Sequence, residues 1–461
     1  MMRPLFLGLS LAFGLPVWAA EVPVVPNLGQ GALGLAIAGA APGDVLVLAP
    51  GRYTGAIVID RPLTLRGPSS AIIDGLGQGT AVTIDAEDVS IVGLTITGSG
   101  MSSPDLDAGV KILKGADRAT VENTHILGNL HGVDIHGGLD ATVRNNIIEG
   151  TQQLRVNDRG NGIYVWNSPG ALVEGNTVRW GRDGIFSNTS RKGTYRNNLF
   201  RDLRFAVHYM YTNDSEVSGN VSIGNQLGFA FMFSDRVVAK NNLSLGDRSH
   251  GVMLNYANNS DVSGNLVLGT LKRSAGTKNE GPPELGTDRC TFIYNAHKNL
   301  IYNNRFEGCD IGIHFTAGSE RNVLTGNSFL GNREQVKYVG TRDIEWSFEG
   351  RGNFWSDHPG FDLNGDGYAD SPFRPNDLMD HILWSQPAAA LLTGSPAVQL
   401  VRWSQSSFPA TLPGGVVDSF PLMAPLTIAI PPQYAQMAAE AVENRAKGPI
   451  DDFDINDLSS H

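Results

Sequence analysis

Short apolar runs separated by polar, asparagine-rich turns repeat along most of the chain. Many runs begin with Gly or Ala and continue with β-branched or aromatic residues, as in GVDIH, GIYVW, GIFSN, AVHYM, GVMLN and GIHFT. Runs of this length and composition predict short β-strands. From Asn146 to Asn327, the Asn residues of the turns lie 30, 22, 22, 22, 23, 39 and 23 residues apart. Such a regular spacing predicts a solenoid built of repeated coils.

The fold class that this repeat predicts is all-β: a right-handed parallel β-helix of about 22–23 residues per rung, with a C-terminal helical extension. A leucine-rich repeat has a similar period, but its leucine spacing is missing here. Asn tolerates the left-handed conformation and bonds to neighbouring backbone groups. The repeated Asn residues are therefore expected to stack as a ladder inside the coil.

The pattern divides the chain into four segments. Residues 1–19 predict a secretory signal, since one Arg precedes an apolar run and then small residues at a cleavage site. Residues 20–375 predict the β-helix, with a helix inside residues 27–44 that would cap its open first edge. Residues 376–424 predict short amphipathic helices, and residues 425–461 predict an extended acidic tail.

Two inserted loops explain the two long steps of the repeat. They occupy about residues 151–160 and 270–288, and both follow an Asn-bearing strand and precede a Gly-aliphatic strand. Both loops should therefore leave the solenoid at the same corner, which is typical of a functional face. Five rung steps separate the strands that follow them, or about 24 Å at roughly 4.8 Å per step. The loops thus bracket one strip of sheet.

The outward side chains of this strip are unusually apolar. Alternation along each strand places Val207 and Tyr209 inside, and His208 and Met210 outside. The same counting over the bracketed rungs gives an outward set of Tyr164, Trp166, Phe186, Asn188, His208, Met210, Phe231, Phe233, Met253 and Asn255. An outward face rich in aromatic, His and Met residues departs from the polar surface expected of a solenoid.

Three interpretations of this strip compete. In the first, another segment folds over the strip and makes it a second core. In the second, exposed aromatic rings such as Tyr164, Trp166 and Phe186 form a groove for sugars. In the third, His208, Met210 and Met253 form a soft-metal site, because imidazole and thioether ligands suit Cu(I). Composition alone favours the packing interpretation.

A separate oxygen-rich motif and a cysteine pair complete the candidate chemistry. Residues 361–373 read FDLNGDGYADSPF, and the oxygen donors Asp362, Asn364, Asp366 and Asp370 are spaced as in the first nine positions of a calcium loop. The glutamate expected at the twelfth position is absent, so a turn stabilised by Asx side chains is an equal alternative. Cys290 and Cys309 are either two buried thiols or, in an oxidising compartment, a disulfide.

Composition excludes some function classes. The 461 residues carry a net charge of -11 and a pI of about 5.4, which argues against a nucleic-acid partner or an anionic membrane surface. After the signal segment no apolar run reaches the length of a membrane span. We therefore expect a soluble protein outside the cytoplasm.

Specific stretches resemble the NosD family, notably RDLRFAVHYMYTNDSEVSGN, HGVMLNYANNSDVSGN and GNFWSDHPGFDLNGDGYADSPF. The resemblance implies a non-enzymatic periplasmic β-helix protein that helps to mature nitrous oxide reductase. The partners it implies are the ABC transporter permease NosY with its ATPase NosF, the copper chaperone NosL and the reductase NosZ itself. The C-terminal helices are then the expected dock for the permease, through Leu378, Ile382, Leu383, Trp384, Leu391 and Leu392.

Given this family, transient Cu(I) binding by His208, Met210 and Met253 becomes the leading interpretation of the strip. A metal-free adaptor that organises transporter and client is the main alternative. A polysaccharide-binding or polysaccharide-modifying β-helix is a further one. An enzyme of that kind needs a cluster of carboxylates or a base beside acids. The outward column of the strip contains no acid, and its neighbour Asp134 stands alone.

Overall fold

Three long parallel sheets form a right-handed β-helix in the computed structural model of the chain. The structure describes residues 19–26, 31–270, 288–316, 318–338, 340, 342–376, 382, 395–407 and 415–445. Within these residues the sheets hold 13, 13 and 12 strands, and we name them sheets A, B and C in the order in which the chain visits them in each coil. The predicted fold class is confirmed.

The strands are numbered in chain order. Sheet A contains β1 (Glu21–Val24), β2 (Val45–Leu48), β5 (Thr64–Arg66), β8 (Ser90–Val92), β11 (Thr120–Glu122), β14 (Thr142–Arg144), β17 (Leu172–Glu174), β20 (Thr194–Arg196), β23 (Glu216–Ser218), β26 (Val238–Lys240), β29 (Asp261–Ser263), β32 (Leu300–Tyr302) and β35 (Val323–Thr325). Sheet B contains β3 (Gly51–Thr54), β6 (Ala71–Asp74), β9 (Thr95–Thr97), β12 (His125–Leu127), β15 (Ile147–Glu149), β18 (Thr177–Arg179), β21 (Leu199–Arg201), β24 (Val221–Ile223), β27 (Leu243–Leu245), β30 (Leu266–Leu268), β33 (Arg305–Glu307), β36 (Ser328–Leu330) and β39 (Phe354–Trp355).

Sheet C has the longest strands, which reach six residues in its middle coils. It contains β4 (Ile57–Ile59), β7 (Val82–Ile84), β10 (Ala108–Ile112), β13 (His131–His136), β16 (Ile163–Trp166), β19 (Asp183–Asn188), β22 (Phe205–Met210), β25 (Leu227–Met232), β28 (His250–Asn255), β31 (Arg289–Tyr294), β34 (Ile311–Phe315) and β37 (Glu334–Tyr338). A small parallel pair joins β38 (Asp343–Glu345) to β40 (Gly415–Val417). The helices are α1 (Ala32–Gly39), α2 (Pro396–Ser407) and α3 (Pro432–Arg445), with a short 3₁₀ turn at Val156–Asp158.

The asparagine ladder is present and runs through the interior of the coil. The side-chain amide of each Asn from Asn146 to Asn327 donates to the side-chain oxygen of the Asn in the next coil, at 2.9–3.1 Å. The ladder continues to Asn353, and Asp418 closes it by accepting from the Asn353 backbone amide at 2.7 Å. Each ladder step satisfies buried polar groups that the tight turn would otherwise leave unpaired.

The first edge of the solenoid is capped as expected. Helix α1 buries Leu33 and Ile37 in the main core, and β1 adds a parallel strand to β2 in sheet A. The predicted signal segment lies outside the described residues, except for Ala19. In the described part of the chain, no helix has the length and apolarity needed to cross a bilayer.

The two insertions leave at one corner, between sheets B and C. The first lies between β15 and β16 and includes the 3₁₀ turn. The second lies between β30 and β31, and its residues 271–287 are outside the described residues. Five rung steps separate β16 from β31, as the repeat predicts.

The C-terminal segment differs from the extended tail expected for residues 425–461. Residues 432–445 form α3, which packs with Ile428 and Ile430 on an apolar outer face of sheet B. That face is made by Val221, Ile223, Leu243, Leu245 and Leu266. The expectation failed because the apolar residues of this segment find their partners only on a face assembled from several coils. Residues 446–461 lie outside the described residues.

Cys290 and Cys309 form a disulfide with a Cα–Cα distance of 5.6 Å, so the oxidised alternative is confirmed. Both residues are fully buried in the main core. The bond joins β31 to the turn that precedes β34, the next strand of sheet C, and closes a loop with a sequence separation of 19 residues.

Replacing both cysteines with alanine is expected to lower the free energy of unfolding by about 3 kcal/mol, because a cross-link of this loop length restricts the unfolded chain. Urea unfolding of the variant and of wild type, with and without reductant, measures the effect. Reduced wild type should unfold near the midpoint of the variant. A midpoint unchanged by both treatments would contradict a stabilising role for the bond.

Candidate functional site

The bracketed strip lies on the outer face of sheet C. Val207 and Tyr209 point into the main core and are fully buried, as predicted. His208 and Met210 alternate with them and lie on the outer face. His208 is paired with Phe186 in the preceding coil and with Ala230 in the following coil.

Ala230 is the centre of a set of imidazole and thioether side chains. In its own column, Ala230 has His208 on one side and Met253 on the other. In the next column, Met210 and Met232 are paired with each other. Rungs lie about 4.8 Å apart and alternate residues of a strand about 7 Å apart, so these side chains can converge over the small Ala230. We call His208, Met210, Met232 and Met253 the His–Met cluster.

The cluster is part of a second apolar core outside the main one. Phe205, Leu227, Ala230, Met232 and Met253 are buried together there, with Met210 and Phe292 partly buried against them. Met253 is 1% exposed and Met232 is 2% exposed, although both lie on the outer face of the sheet. These side chains are therefore buried together, which places the thioethers in a dry environment.

His208 has one engaged and one unengaged ring nitrogen. Its Nδ1 lies 3.1 Å from Oδ2 of Asp183. Its Nε2 is buried and has no hydrogen-bond partner among the described residues. The ring lies against Phe205 and Phe186, with centroid distances of 4.6 and 4.7 Å. Burial lowers the pKa of His208 and the hydrogen bond to Asp183 opposes this, so the imidazole is neutral at neutral pH.

Asp183 begins β19 and is fully buried. Arg204 donates to both carboxylate oxygens, at 2.8 and 2.7 Å, and Nε of Arg182 lies 3.8 Å away. Burial acts to raise the pKa of Asp183, but Arg204, the His208 hydrogen bond and Arg182 together hold that pKa well below its ordinary value. The carboxylate is therefore ionised beside a neutral imidazole.

The prediction that Phe231 faces outward is wrong. Phe231 is fully buried in the main core, paired in register with Tyr209 and Leu254. Counting back by twos from Phe233 places Phe231 outside, but Phe233 adopts a left-handed conformation with φ of 48° after the strand has ended. This residue breaks the two-residue alternation.

Because of the same counting error, the outward set predicted from the sequence did not include Met232. This residue faces outward beside Met210, and the repeat step of 22 residues relates the two positions. Applying the repeat step to each candidate ligand would have found it. Asn255 is outward and half-buried as predicted, in register with Met232.

The aromatic residues of the strip stack along the solenoid axis. Tyr164 lies between the rings of His131 and Phe186, at 6.1 and 5.3 Å. Trp166 has the ring of His136 on one face at 4.3 Å. A sugar that stacks on an aromatic residue needs a free ring face, and both faces of Tyr164 are occupied. The proposed sugar groove therefore lacks support at this position.

Phe233 is exposed at the corner between sheets C and A. It is 36% exposed and stacks between Tyr211 and Tyr256, at 5.3 and 5.1 Å. Tyr211 and Tyr256 also have positive φ angles, of 52° and 50°. Three bulky residues in the left-handed region form an aromatic ridge one residue beyond the outer column of the His–Met cluster.

The oxygen donors of residues 361–373 serve the local backbone. Asp362 accepts from the amides of Gly365 and Gly367, at 2.6 and 2.8 Å. Asp366 accepts from the Tyr368 amide and Asp370 from the Leu363 amide, at 2.9 and 2.8 Å. Asn364 accepts from the Asp366 amide at 3.0 Å. These contacts describe the Asx-stabilised turn that was the alternative to a calcium loop.

Clusters of hard or borderline ligands are absent from the described part of the chain. No group of three or more His, Cys, Asp or Glu side chains is arranged there to hold a metal ion. A site that combines one imidazole with thioethers is of a different chemical kind, and it suits a soft ion such as Cu(I).

Solved structures share this architecture. A PL6 alginate lyase in complex with a trisaccharide matches with a TM-score of 0.50 and 14% identity, covering 72% of this chain and 92% of that one. DFA-IIIase from Arthrobacter chlorophenolicus A6 in complex with GF2 matches with a TM-score of 0.51 and 15% identity, covering 74% and 99%. At these identities the likeness shows the fold alone.

Sequence relatives are much closer. The model of a family described as periplasmic copper-binding protein (NosD) matches residues 144–360. A protein of Stutzerimonas stutzeri named probable ABC transporter binding protein NosD is 40% identical over 376 residues, which are 82% of this chain and 86% of that protein. A protein of Pseudomonas aeruginosa with the same name is 40% identical over 408 residues, covering 86% and 95%. The chain belongs to the NosD family.

Proposed function

We propose that this chain is a periplasmic, non-enzymatic accessory protein of an ABC transporter that handles Cu(I) during assembly of the copper centres of nitrous oxide reductase. It would receive the ion from the copper chaperone NosL and pass it to the client NosZ, while bound to the permease NosY with its ATPase NosF. The family description as periplasmic copper-binding protein supports the cargo. The name of the relatives, probable ABC transporter binding protein, supports the transporter.

The observation that carries the copper proposal is the buried Nε2 of His208, which has no hydrogen-bond partner among the described residues and whose own and neighbouring columns hold three methionines. A buried polar atom without a partner is costly in a structural core, so a role as a ligand accounts for its retention. His208, Met210, Met232 and Met253 would hold the ion. Thioethers bind Cu(I) softly and without charge, which suits an ion that has to be released again.

The carboxylates beside the strip favour this role over an enzymatic one. Asp134 and Asp183 are both fully buried, and Asp183 is engaged by Arg204 and His208. A general acid or base has to reach its substrate. Neither carboxylate is accessible to a polysaccharide, because both side chains are fully buried, so we favour accessory binding.

The permease would dock on the C-terminal helical part. In α2, Leu400 and Trp403 are 64% and 62% exposed and lie three residues apart on the helix. Exposed apolar residues at this spacing form one ridge, as an interaction surface requires. Of the dock residues proposed from the sequence, Ile382 is described and partly buried. Leu378, Leu383, Trp384, Leu391 and Leu392 lie outside the described residues.

Anaerobic titration of the full-length mature protein with Cu(I), against a chromogenic chelator, tests the proposal. Wild type is expected to bind the ion, and His208→Ala and the pair Met210→Ala with Met253→Ala are each expected to weaken binding at least about tenfold, or about 1.4 kcal/mol. The control replaces His125, on sheet B, and Met101, which is 50% exposed, by alanine. Neither residue belongs to the cluster.

The outcomes separate the alternatives. Equal affinity in wild type and in both cluster variants would remove the proposed site. No detectable binding by wild type would favour the metal-free adaptor. Turnover of a polyuronate by the purified protein would contradict the accessory role and favour a polysaccharide-modifying enzyme.

A further inference from the structure

We propose that Asp183 is a positioning residue of the His–Met cluster: its carboxylate holds the proton of His208 on Nδ1 and so leaves the Nε2 lone pair available to a soft metal ion. The effect of Asp183 on metal binding rests on the proposed copper-handling function. The effect of Asp183 on the tautomer of His208 does not depend on that function.

Asp183 accepts the hydrogen bond that joins it to His208. Arg204 donates to both oxygens of Asp183, at 2.8 and 2.7 Å, and keeps the carboxylate ionised. An ionised carboxylate only accepts hydrogen bonds. The contact of 3.1 Å between Oδ2 of Asp183 and Nδ1 of His208 therefore places the proton on Nδ1. In a neutral imidazole, Nε2 then carries the lone pair.

Three other histidines of the same face hold their ring protons differently. His131 accepts from the Asn161 backbone amide through Nδ1, at 3.1 Å. His314 accepts from Nε of Arg289 through Nδ1 at 3.1 Å, and Nε2 of His250 lies 3.0 Å from Nη1 of Arg289. Because amide and guanidinium groups only donate, the remaining nitrogen of each ring carries a proton. These three imidazoles present an N–H group, which cannot bind a metal ion.

Two adjacent strands, β19 and β22, hold Asp183 in place. Asp183 is the first residue of β19 and is paired with Phe205 in the next coil. Arg204 directly precedes that strand, and its guanidinium lies 4.7 Å from the centre of the Phe205 ring. The imidazole of His208 stacks against the same Phe205 ring. Carboxylate, guanidinium and imidazole are thus fixed to two adjacent strands, and the imidazole cannot turn without breaking these contacts.

The carboxylate that hydrogen-bonds to a metal-binding histidine is expected to affect the affinity of the site for the metal ion. In metal sites the second ring nitrogen commonly donates to a carboxylate, and loss of that partner costs roughly 10- to 100-fold in metal affinity. In Asp183→Asn, one of the two side-chain positions that Arg204 and His208 contact becomes an amide nitrogen, which donates. The side chain then no longer requires the proton of His208 on Nδ1, so a fraction of the imidazole is expected to carry its proton on Nε2, where it blocks the ligand.

The test measures the tautomer and the affinity separately, in the full-length mature protein. Histidine-selective ¹⁵N NMR of the metal-free protein is expected to show His208 protonated on Nδ1 in wild type, and a measurable fraction protonated on Nε2 in Asp183→Asn. Anaerobic Cu(I) competition is expected to show an affinity loss of roughly 10- to 100-fold in this variant. The control is Asp134→Asn, since Asp134 is equally buried on the same face and lies on β13.

A second variant covers the case in which Asp183→Asn does not fold, because it leaves the Arg204 charge buried and unpaired. The double variant Asp183→Asn with Arg204→Gln removes both charges together and is expected to show the same tautomer and the same affinity loss. An unchanged tautomer, or an affinity within twofold of wild type, would overturn the inference. Wild type that binds no Cu(I) would contradict the proposed function, while the tautomer measurement would still decide the role of Asp183.

Discussion

Asn220→Ala is expected to lower the free energy of unfolding by about 4 kcal/mol, a large effect for one polar side chain. The Asn220 side chain accepts from the backbone and side-chain amides of Asn198, at 3.0 and 2.9 Å. It also donates to the Tyr195 carbonyl and to the side-chain oxygen of Asn242, at 2.9 and 3.1 Å. Alanine leaves all four groups buried and without this partner.

Chemical denaturation followed by circular dichroism measures the loss. The matched control is Asn197→Gly, one coil earlier in the same kind of turn. Asn197 is exposed and left-handed, with φ of 56°, so glycine fits its backbone and the change should stay within about 0.5 kcal/mol. A loss below about 1 kcal/mol for Asn220→Ala would show that water replaces the ladder, and would contradict its structural role.

Placing two charges on the buried side of α3 should have a comparable effect, about 3–5 kcal/mol, or should detach the helix outright. Met437 and Ala441 pack on the apolar outer face of sheet B. The packing is close, since a methyl group added at Gly224 would lie 2.9 Å from the Ala441 side chain. The pair Met437→Asp with Ala441→Asp would bury two carboxylates without partners, so the helix would leave and expose that face to water.

Denaturation midpoints and limited proteolysis of the C-terminal segment report this change. The control, Ala435→Asp with Ala439→Asp, adds the same charge at the same spacing to the exposed side of the same helix and should behave like wild type. Faster cleavage in both variants would indicate a general loss of helicity. Unchanged cleavage and stability in the Met437 and Ala441 variant would contradict docking of α3 on sheet B.

The repeat could be predicted from the sequence because each coil has the same local residue pattern. Each coil repeats the same run of apolar residues and the same Asn turn, so a shift of 22 or 23 residues superposes chemically equivalent positions. The ladder from Asn146 to Asn327 and the common corner of the two insertions follow directly from that spacing. No knowledge of long-range contacts is needed, since every coil contacts its neighbours in the same way.

Only some residues of the candidate site could be predicted from the sequence. His208, Met210 and Met253 were correctly placed on the outer face, but a left-handed residue after β25 shifted the counting and exchanged Phe231 for Met232. Alternation by twos holds only while the chain remains extended. The positive φ of Phe233 is unusual for a bulky residue, so residue type gave no warning of it.

The sequence alone determined the β-helix, its rung length, its capped first edge and the Asn ladder, because all of these follow from a pattern repeated at short range. Tertiary structure decided which outward residues are buried, how α3 covers sheet B, and that Asp183, Arg204 and His208 meet. Those contacts join residues that are 21 to more than 200 positions apart in the chain. Their partners are set by the stacking of coils, a geometry that the periodicity of a single strand does not contain.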